Sequence, residues 1–435
     1  MTPSGAAANR TVDVHGLARV EGEGSLHVAV RDGVLERVEL EIFEPPRFFE
    51  AFLVGRGYEE PPDITARICG ICPVAYQMSA CAAIEDACHT GVDDRIGKLR
   101  RLLYCGEWIQ SHALHIYLLH APDFFGCRDA VELAALDAAA VERGLRLKKV
   151  GNHLMEVVGG RAIHPVNVRV GGFYRAPTAD EIASLIEPLR RARAESLETV
   201  AWVAGFEFPD LEADYRFVAL SHPDHYAIEA GRVHSSDGID ATPAEFAALA
   251  VEEHVARSSA LQSRLRGRDP YLTGPLARYA LNEAKLPKIA RDAAAAAGLG
   301  PVCRNPFKSV IVRAVELVFA CDEALRLATD YEPPEPPAVV VRPAAGSGAG
   351  ATEAPRGMLL QRYELAADGT IESARIMPPT AQNQLTIESD VRQVVEAGLE
   401  LTDAELTARC ELAIRNHDPC ISCAAHFLTL SIDRL

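Results

Sequence analysis

Hydrophobic and polar residues alternate in the manner of β-strands along two stretches of the chain, residues 11–42 and residues 358–376. An Asp-Gly pair interrupts each stretch, starting at Asp32 in the first and at Asp368 in the second. Side chains along a strand point to opposite faces in turn, and Asp-Gly between two such runs favours a tight turn. The pattern therefore predicts a β-hairpin near each end of the chain.

Several longer segments repeat their hydrophobic residues at the period of an α-helix. One begins at Pro73 and has a face of small residues suited to close packing, and another spans Ile96 to His120 and is rich in histidine. Further helices are predicted at about residues 180–204, 243–266, 306–329 and 385–397. Long helices of this kind bury their apolar faces against each other, so the pattern predicts a central helical bundle.

Residues 333–350 break this pattern. They contain Pro-Pro-Glu-Pro-Pro and then a run of alanine, glycine and serine, a composition typical of a surface loop or linker. No internal repeat of fixed period is present in the sequence. The predicted fold class is therefore mainly α with peripheral β-hairpins, an α+β arrangement around a central bundle.

Composition narrows the class of protein. The chain has 435 residues, of which 48% are hydrophobic, enough to bury a large core without disulfides. Its formal net charge of -17 argues against a nucleic-acid partner, because such proteins carry a basic face. The N-terminus lacks the apolar stretch of a secretory signal, and no run of about 18 apolar residues predicts a membrane span. A cytoplasmic location is expected, although a subunit without a signal can be exported with a partner.

Eleven cysteines are present, and their spacing differs from the disulfide framework of a small secreted protein. Four of them form two Cys-x-x-Cys pairs near opposite ends of the chain, Cys69 with Cys72 and Cys420 with Cys423. At this spacing a short loop can direct both sulfurs at one ion, and thiolates favour zinc, nickel and iron. The pairs predict one soft-metal site where the chain ends meet, with a redox dithiol or a structural zinc site as the other interpretations.

The remaining seven cysteines share no spacing and are expected to be buried as small hydrophobic residues. They are Cys81, Cys88, Cys105, Cys127, Cys303, Cys321 and Cys410.

The neighbours of the paired cysteines make the prediction more specific. Segments 67–76 and 416–426 resemble the two metal-binding signatures of the large subunit of nickel-iron hydrogenases. Motifs that resemble other blocks of this family follow in the expected order, namely Arg19–Gly22, Pro46–Glu50, Gly159–Pro165, Ala354–Gly357 and, as an expected strand, Pro379–Asn383. The chain is identified as a member of this family over nearly its whole length, which implies the nickel-iron hydrogenase large-subunit fold.

The resemblance implies a nickel-iron centre whose iron carries carbon monoxide and cyanide, as Fe(CO)(CN)2. By position, Cys69 and Cys420 would be terminal nickel ligands, and Cys72 and Cys423 would bridge nickel and iron. Nickel in an open, distorted thiolate site keeps a vacant position for substrate, whereas a structural zinc site is closed. The implied reaction is the reversible, heterolytic oxidation of H2 to protons and electrons.

Four residues are implied in the reaction itself. Cys420 is expected to take the proton from H2, and Glu21 to accept it next, since a buried carboxyl group has a raised proton affinity. Arg356 is expected to lie over the open metal site with Asp418 as its partner, because a guanidinium stays charged and offers a fixed fork of donors. Without the surrounding motifs, Glu21 would be interpreted as a turn residue and Arg356 as a surface charge.

A second metal site and a processing event are also implied. Glu50, His426 and a backbone carbonyl near Ile376 are expected to bind Mg2+ or Fe2+. In most members of the family a protease removes the tail that follows the residue at position 426, and residues 427–435 would be that tail. The alternative is that these residues persist as a terminal strand.

Three positions depart from the pattern of other members. Glu23 and Tyr76 stand where histidine is usual, and Ser111 stands where respiratory members have aspartate. Tyr76 calls one hydrogen bond to the bridging sulfur of Cys72 into question. The residues of the motifs are most similar to those of cytoplasmic, nicotinamide-linked multi-subunit hydrogenases. His112 and His115 lie one helical turn apart and are expected to serve packing or hydrogen bonding rather than to bind a metal.

The sequence contains no iron-sulfur cluster motif, phosphate-binding loop or dinucleotide motif, so electrons must leave through another subunit. The resemblance implies an iron-sulfur small subunit and a flavin-containing diaphorase module that reduces NAD(P)+. The rival interpretations are a hydrogen-sensing regulatory protein, a complex I-like electron-transfer scaffold, whose family lacks the four cysteines, and a zinc-stabilised scaffold.

Residues 1–435 are expected to form one large subunit. Its predicted parts, in order, are a β-rich part at 11–60, a helical bundle at 61–330, a Pro/Gly-rich loop at 331–357, a C-terminal metal-binding part at 358–426 and the possible cleaved tail at 427–435.

Overall fold

A computed structural model describes residues 9–268 and 270–425. The α-helices are α1 (Phe49–Leu53), α2 (Pro61–Thr65), α3 (Pro73–Ala87), α4 (Asp94–Leu114), α5 (Ala121–Phe124), α6 (Ala130–Leu136), α7 (Ala138–Gly159), α8 (Ala179–Ala204), α9 (Pro243–Leu249), α10 (Pro275–Asn282), α11 (Lys288–Ala296), α12 (Ser309–Thr329), α13 (Pro379–Ala397), α14 (Asp403–Asn416) and α15 (Ile421–Ala424). A π-helical turn, His115–His120, extends α4, and short 3-10 turns cover Ala66–Ile68, Glu283–Lys285 and Pro306–Lys308.

The strands form five small antiparallel sheets among the described residues. They are β1 (Asn9–Val14), β2 (Gly24–Arg31), β3 (Val34–Ile42), β4 (Val168–Arg169), β5 (Gly172–Phe173), β6 (Val218–Ser221), β7 (Arg232–Ser235), β8 (Asp240–Ala241), β9 (Ala250–His254), β10 (Leu261–Leu265), β11 (Gly346–Ala354), β12 (Gly357–Leu365) and β13 (Ile371–Met377).

The four longest helices form the predicted central bundle. Helix α4 packs against α7 and α12, and α8 packs against the same two helices. Helices α4 and α7 approach closely because glycines face each other: a Cβ on Gly151 would lie 2.6 Å from the carbonyl oxygen of Gly106. The helix predicted at about residues 180–204 is α8, and Thr178 caps its start in a reciprocal pair with Glu181.

Both predicted hairpins are confirmed, and a third strand pairs with each hairpin to form a three-stranded sheet. In the N-terminal sheet, order β1-β2-β3, Asp32 and Gly33 make the turn with φ angles of 51° and 76°. This sheet packs its apolar face against α13 and α14. In the C-terminal sheet, order β11-β12-β13, β12 and β13 are the predicted hairpin.

The helix predicted over residues 243–266 is wrong beyond Leu249. Residues 250–265 fold instead as the antiparallel pair β9 and β10, and β10 packs on α13. The connection between these strands contains no glycine or proline, the residues that usually indicate a turn. The pairing partner and the packing on α13, both tertiary contacts, override the helical pattern.

The loop predicted over 331–357 is wrong from Gly346 onward, where β11 begins. A Cβ on Gly348 would overlap backbone atoms of Ala83 and Ala87, so glycine is needed for the strand to lie directly on α3. The expected strand Pro379–Asn383 is also wrong, because it forms the first turn of α13, with prolines at the start of the helix. The other boundaries predicted between the five parts of the chain stay predictions.

The two ends of the described chain meet beside α3 and α13. Glu21 and Cys420 form an isolated parallel bridge, and Arg47 donates hydrogen bonds from Nη2 to the carbonyl oxygens of Ile68 (2.7 Å) and Ser422 (2.6 Å). Arg47 thus ties the segment before the first cysteine pair to the segment of the second. No helix in the described part of the chain is both long enough and apolar enough to cross a membrane.

Candidate metal centre

The four paired cysteines come together in one buried cluster, with all four Sγ atoms within 4.8 Å of one another. Sγ of Cys69 lies 3.5 Å from that of Cys420, and Sγ of Cys72 lies 3.8 Å from that of Cys423. The Sγ atoms of Cys420 and Cys423 are 2.7 Å apart. The predicted meeting of the two pairs is therefore present in the fold.

The first pair is held by the start of α3. Cys72 precedes the first helical residue, and its backbone N–H donates to Sγ of Cys69 (3.4 Å). The carboxylate of Glu107, which projects from α4, accepts from the backbone N–H groups of Val74 (2.6 Å) and Ala75 (3.1 Å). Glu107 thereby caps α3 from another helix and fixes the loop that carries both sulfurs.

The second pair follows the end of α14. Asp418 has a left-handed backbone, with φ of 51°, which turns the chain before Pro419. The backbone N–H of Cys420 then donates to Oγ1 of Thr380 on α13 (2.9 Å). The turn and this bond aim Cys420 and Cys423 back toward the first pair.

Glu21 reaches the cluster from the N-terminal segment. Its backbone carbonyl accepts from the N–H of Ile421 (2.9 Å), and its Oε2 accepts from the N–H of Ser422 (3.0 Å). The same Oε2 lies 3.1 Å from Sγ of Cys420. Gly22, with φ of 89°, permits this approach, because a Cβ there would lie 2.7 Å from Cβ of Ile421.

Arg356 and Asp418 form a buried pair beside the sulfurs. Nε of Arg356 donates to the carbonyl oxygen of Asp418 (2.8 Å), and its Nη2 donates to Oδ1 (3.2 Å). Burial lowers the pKa of Arg356, but Asp418, Cys420 and Cys72 outweigh it and raise that pKa above its ordinary value. Arg356 therefore stays charged next to the cluster.

The electrostatics of the cluster suit a cation. Burial raises the pKa of the thiols of Cys420 and Cys423 well above the usual value, because a dry interior disfavours the charged thiolate, and the charge of a neighbouring sulfur raises it further. A soft divalent ion compensates that charge and is bound by thiolates. The donor set therefore fits a nickel-iron group held by four sulfurs.

Two members of the expected magnesium site lie next to each other. Oε1 of Glu50 accepts from the backbone N–H of Ile376 (2.7 Å). His426, the third expected ligand, and the tail at 427–435 lie outside the described residues. The magnesium site stays a prediction.

The histidines predicted to serve packing do so. Nε2 of His112 lies 3.1 Å from Oε2 of Glu316, and Nε2 of His115 lies 2.8 Å from the carbonyl oxygen of Arg415. Tyr76 is buried beside the cluster, where burial and the sulfurs, first that of Cys423, raise its pKa. The seven cysteines outside the two pairs are buried and free, as predicted.

Several residues of the site carried no sequence signal. Glu107 accepts two hydrogen bonds from a distant segment, and a lone glutamate in a helix predicts no such contact. Thr380 lies within the Pro379–Asn383 motif, but the motif did not indicate its contact with Cys420. Glu44 accepts a hydrogen bond at Oε2 from Oγ of Ser422 (2.8 Å), which places a second carboxylate behind Glu21. In the sequence, Glu44 is a single glutamate after the alternating stretch 11–42, and this position does not indicate a contact with Ser422.

A mainly helical fold that buries four cysteine sulfurs, with a carboxylate on one sulfur and an arginine beside the cluster, defines a thiolate-bound metal enzyme. A model of the nickel-dependent hydrogenase family matches residues 47–148. Sulfhydrogenase 1 subunit alpha of Pyrococcus furiosus is 32% identical over 423 residues, which cover 96% of this chain and 98% of the relative. The chain therefore belongs to the nickel-dependent hydrogenases, as a large subunit of the nickel-iron type.

Two further relatives agree with this assignment. NAD-reducing hydrogenase HoxS subunit beta of Cupriavidus necator is 27% identical over 473 residues, covering 97% of this chain and 95% of the relative. A crystal structure of an NAD+-reducing NiFe hydrogenase in the H2-reduced state superposes with a TM-score of 0.83 at 27% identity, covering 96% of this chain and 99% of that one. The family and the fold class inferred from the sequence motifs are both confirmed.

Proposed function

We propose that this subunit catalyses the reversible heterolytic oxidation of H2 and that Cys420 and Glu21 carry the product proton away. The observation that supports this most directly is the 3.1 Å contact between Sγ of Cys420 and Oε2 of Glu21. A carboxylate in hydrogen-bond reach of a sulfur ligand is placed for proton transfer rather than for binding the metal.

The four cysteines would hold the metal group, with Cys69 and Cys420 as terminal nickel ligands and Cys72 and Cys423 as ligands shared by nickel and an iron that carries one carbon monoxide and two cyanides. When bound, this group supplies the site at which dihydrogen is cleaved. The chain keeps the group dry: each of the four cysteines is at most 3% exposed. A dry site strengthens the electrostatic interactions within it.

The chain also supplies the proton exit. The Cys420 sulfur accepts the proton and passes it to Oε2 of Glu21, from which it moves outward. Glu44 lies next on this side, since Oγ of Ser422 bridges to its Oε2 at 2.8 Å while the N–H of Ser422 holds Glu21. Glu44 is half-buried and therefore faces solvent. A proton route from Cys420 through Glu21 to Glu44 therefore leads from the sulfur cluster to the surface.

Arg356 would stabilise substrate and ligands at the open side of the centre. Its guanidinium is 2% exposed and is oriented by two hydrogen bonds to Asp418. A fixed charge of this kind costs no reorganisation during the reaction. Asp418 acts through Arg356 as a positioning residue.

The electrons would pass to an iron-sulfur small subunit and from there to a flavin module that reduces NAD(P)+. The likeness to an NAD+-reducing hydrogenase structure and to an NAD-reducing hydrogenase subunit supports this acceptor. The relative with higher identity bears the name sulfhydrogenase, so identity alone does not choose the acceptor. A magnesium or iron ion at Glu50, with His426 and the Ile376 carbonyl, and a cytoplasmic location complete the proposal.

Elemental analysis and infrared spectroscopy of the purified complex test the metal assignment. We expect nickel together with carbonyl and cyanide stretches; zinc alone, or no such stretches in a matured sample, would contradict it. Turnover with an artificial electron acceptor separates an enzyme from a slow hydrogen sensor.

Replacement of Glu21 tests the proton route. Glu21→Gln keeps the size of the side chain but removes the carboxylate that accepts the proton, so turnover should fall at least about a hundredfold. The infrared bands of the metal centre should be unchanged. Full turnover by this variant would reject the role of Glu21, whereas loss of the bands would indicate a structural role.

A further inference from the structure

A small cavity lies next to Arg356, and every residue that lines it is buried. The centre of a water molecule can occupy a volume of about 10 Å³ in this cavity. One buried water requires roughly this volume. Its wall combines the apolar side chains of Leu272 and Leu276 with the polar side chains of Arg313, Asn416 and His417. Arg356 therefore has the sulfur cluster and this cavity as neighbours.

Several polar atoms of the residues that line the cavity have no hydrogen-bond partner within the described part of the chain. Within the described residues, Nε of Arg313, Nη1 of Arg356 and both Nδ2 and Oδ1 of Asn416 are buried without a hydrogen-bond partner. Leaving a buried polar atom without a partner is unfavourable, because the atom has lost its hydrogen bonds to water. Donors and an acceptor around a water-sized space are the setting in which buried water is found.

A line of hydrogen bonds leads outward from the cavity wall. Nε2 of His417 lies 2.8 Å from Oδ2 of Asp390, and both residues are buried. The hydroxyl of Tyr215 donates to the same Oδ2 at 2.5 Å. Asp390 and Tyr215 line a depression of about 320 Å³ at the surface, whose wall also carries Ser389 and Gln393. The cavity is thus separated from solvent by two titratable side chains in contact.

We propose that the cavity holds a water molecule and that this water, His417 and Asp390 form a second proton path from the Arg356 side of the metal centre to the surface. The inference rests on the proposed function. An imidazole ring conducts a proton by accepting one at one ring nitrogen while the other nitrogen releases its own. The proton released by His417 goes to Asp390, and water in the surface depression takes it from there. The cavity water takes up a proton released on the Arg356 side of the centre and passes one of its own to His417, so that each group accepts one proton and releases one.

Tyr215 is a positioning residue in this path. Its hydroxyl holds the Asp390 carboxylate toward His417, and Tyr215 is itself only 6% exposed. The path leaves the centre on the face of Arg356, whereas Glu21 contacts Cys420 from the N-terminal segment. The two routes share no residue.

Isotope exchange in the Glu21→Gln background of the holoenzyme complex tests this path. With D2 supplied in H2O, the formation of HD and H2 measures how fast a proton escapes to solvent. We expect Glu21→Gln to retain measurable exchange and the added change His417→Phe to reduce that remainder at least about tenfold. Tyr215→Phe in the same background should give a smaller loss. The infrared bands should be unchanged in each variant.

Tyr279→Phe is the matched control, because it also removes one buried tyrosine hydroxyl, here donating to the carbonyl of Gly300 at 3.0 Å, outside the path. It should leave exchange unaltered. The inference is overturned if Glu21→Gln abolishes exchange completely, or if adding His417→Phe and adding Tyr215→Phe both leave the remaining exchange unchanged. Normal exchange and infrared bands in the unmodified complex separate this failure from failure of the proposed function.

Diffraction from the metal-free protein gives a readout independent of turnover. We expect density for one ordered water within hydrogen-bond distance of Asn416 and Arg313. A cavity without water density at a resolution that shows other buried waters would overturn the path at its first step.

Discussion

Glu107 shows how much of the site depends on a single side chain without a motif. It is fully buried, and burial raises its pKa well above the usual value, against two backbone donors that lower it. Its position at the start of α3 lets the helix dipole and the N–H groups of Val74 and Ala75 compensate the buried carboxyl group. Because Cys72 is the residue before that helix, Glu107 fixes the first sulfur pair.

Glu107→Ala should destabilise the protein and weaken metal binding. It leaves two backbone donors without an acceptor, which lowers the free energy of unfolding by about 2 kcal/mol. The nickel content of the purified protein should fall with it. Glu107→Gln retains an acceptor oxygen and should lose less of both, as measured by urea unfolding and elemental analysis. An unaltered nickel content in Glu107→Ala would show that α3 needs no cap from α4.

At the scale of elements, β11 and α3 illustrate why composition misled the sequence prediction. A run of alanine and glycine is typical of a linker, yet here it forms a strand against a helix that is itself rich in small residues. Small residues on both elements let their backbones approach closely. The same composition thus describes a flexible loop or a tightly packed contact, and only the neighbour decides which.

Two glycines of β11 test this contact. Gly348→Ala should lower the free energy of unfolding by about 3 kcal/mol, because the added Cβ overlaps the backbone of α3. In Gly346→Ala the added Cβ would lie 3.5 Å from the carbonyl oxygen of Ala87, an ordinary contact. This control should change stability by less than about 1 kcal/mol. Equal denaturation midpoints for the two variants would refute the close packing of β11 on α3.

At the scale of the whole molecule, the metal centre joins segments from both ends of the chain. Arg415, at the end of α14, donates to both carboxylate oxygens of Asp123 and, through Nη1, to the carbonyl oxygen of Ala18. Arg19 donates to the same carboxylate, and the two arginines outweigh burial and lower the pKa of Asp123. Buried ion pairs and the cysteine cluster together hold the N-terminal segment, the bundle and the C-terminal segment in place.

Metal removal should therefore destabilise the molecule as a whole. A ligand that binds only the folded state adds about 2.7 kcal/mol to its stability at a hundred times the dissociation constant. The metal-free protein should unfold at a lower temperature than the loaded protein in calorimetry. The double change Cys72→Ser and Cys423→Ser should abolish the difference, while Cys127→Ser, a buried cysteine outside the centre, should preserve it. A double variant that is still stabilised by nickel would place the ion elsewhere.

The sequence by itself determined the features that are local or chemically unusual. The period of the apolar residues gave the long helices, and Asp-Gly gave two turns, because a turn of helix or a hairpin depends on neighbouring residues. Two Cys-x-x-Cys motifs predicted a shared soft-metal site, and the residues around them favoured nickel and iron over a zinc site or a redox dithiol through their resemblance to the two family signatures. The position of Glu21 within its motif also pointed to the centre.

The tertiary structure alone decided the features that depend on contacts between distant segments. No local signal shows that β9 pairs with β10, that the glycines of β11 press on α3, or that Glu107 caps a helix. The cavity beside Arg356 and the line from His417 to Asp390 are likewise products of packing. Such contacts are set by the burial and hydrogen-bond satisfaction of the whole fold, which a pattern along the chain does not encode.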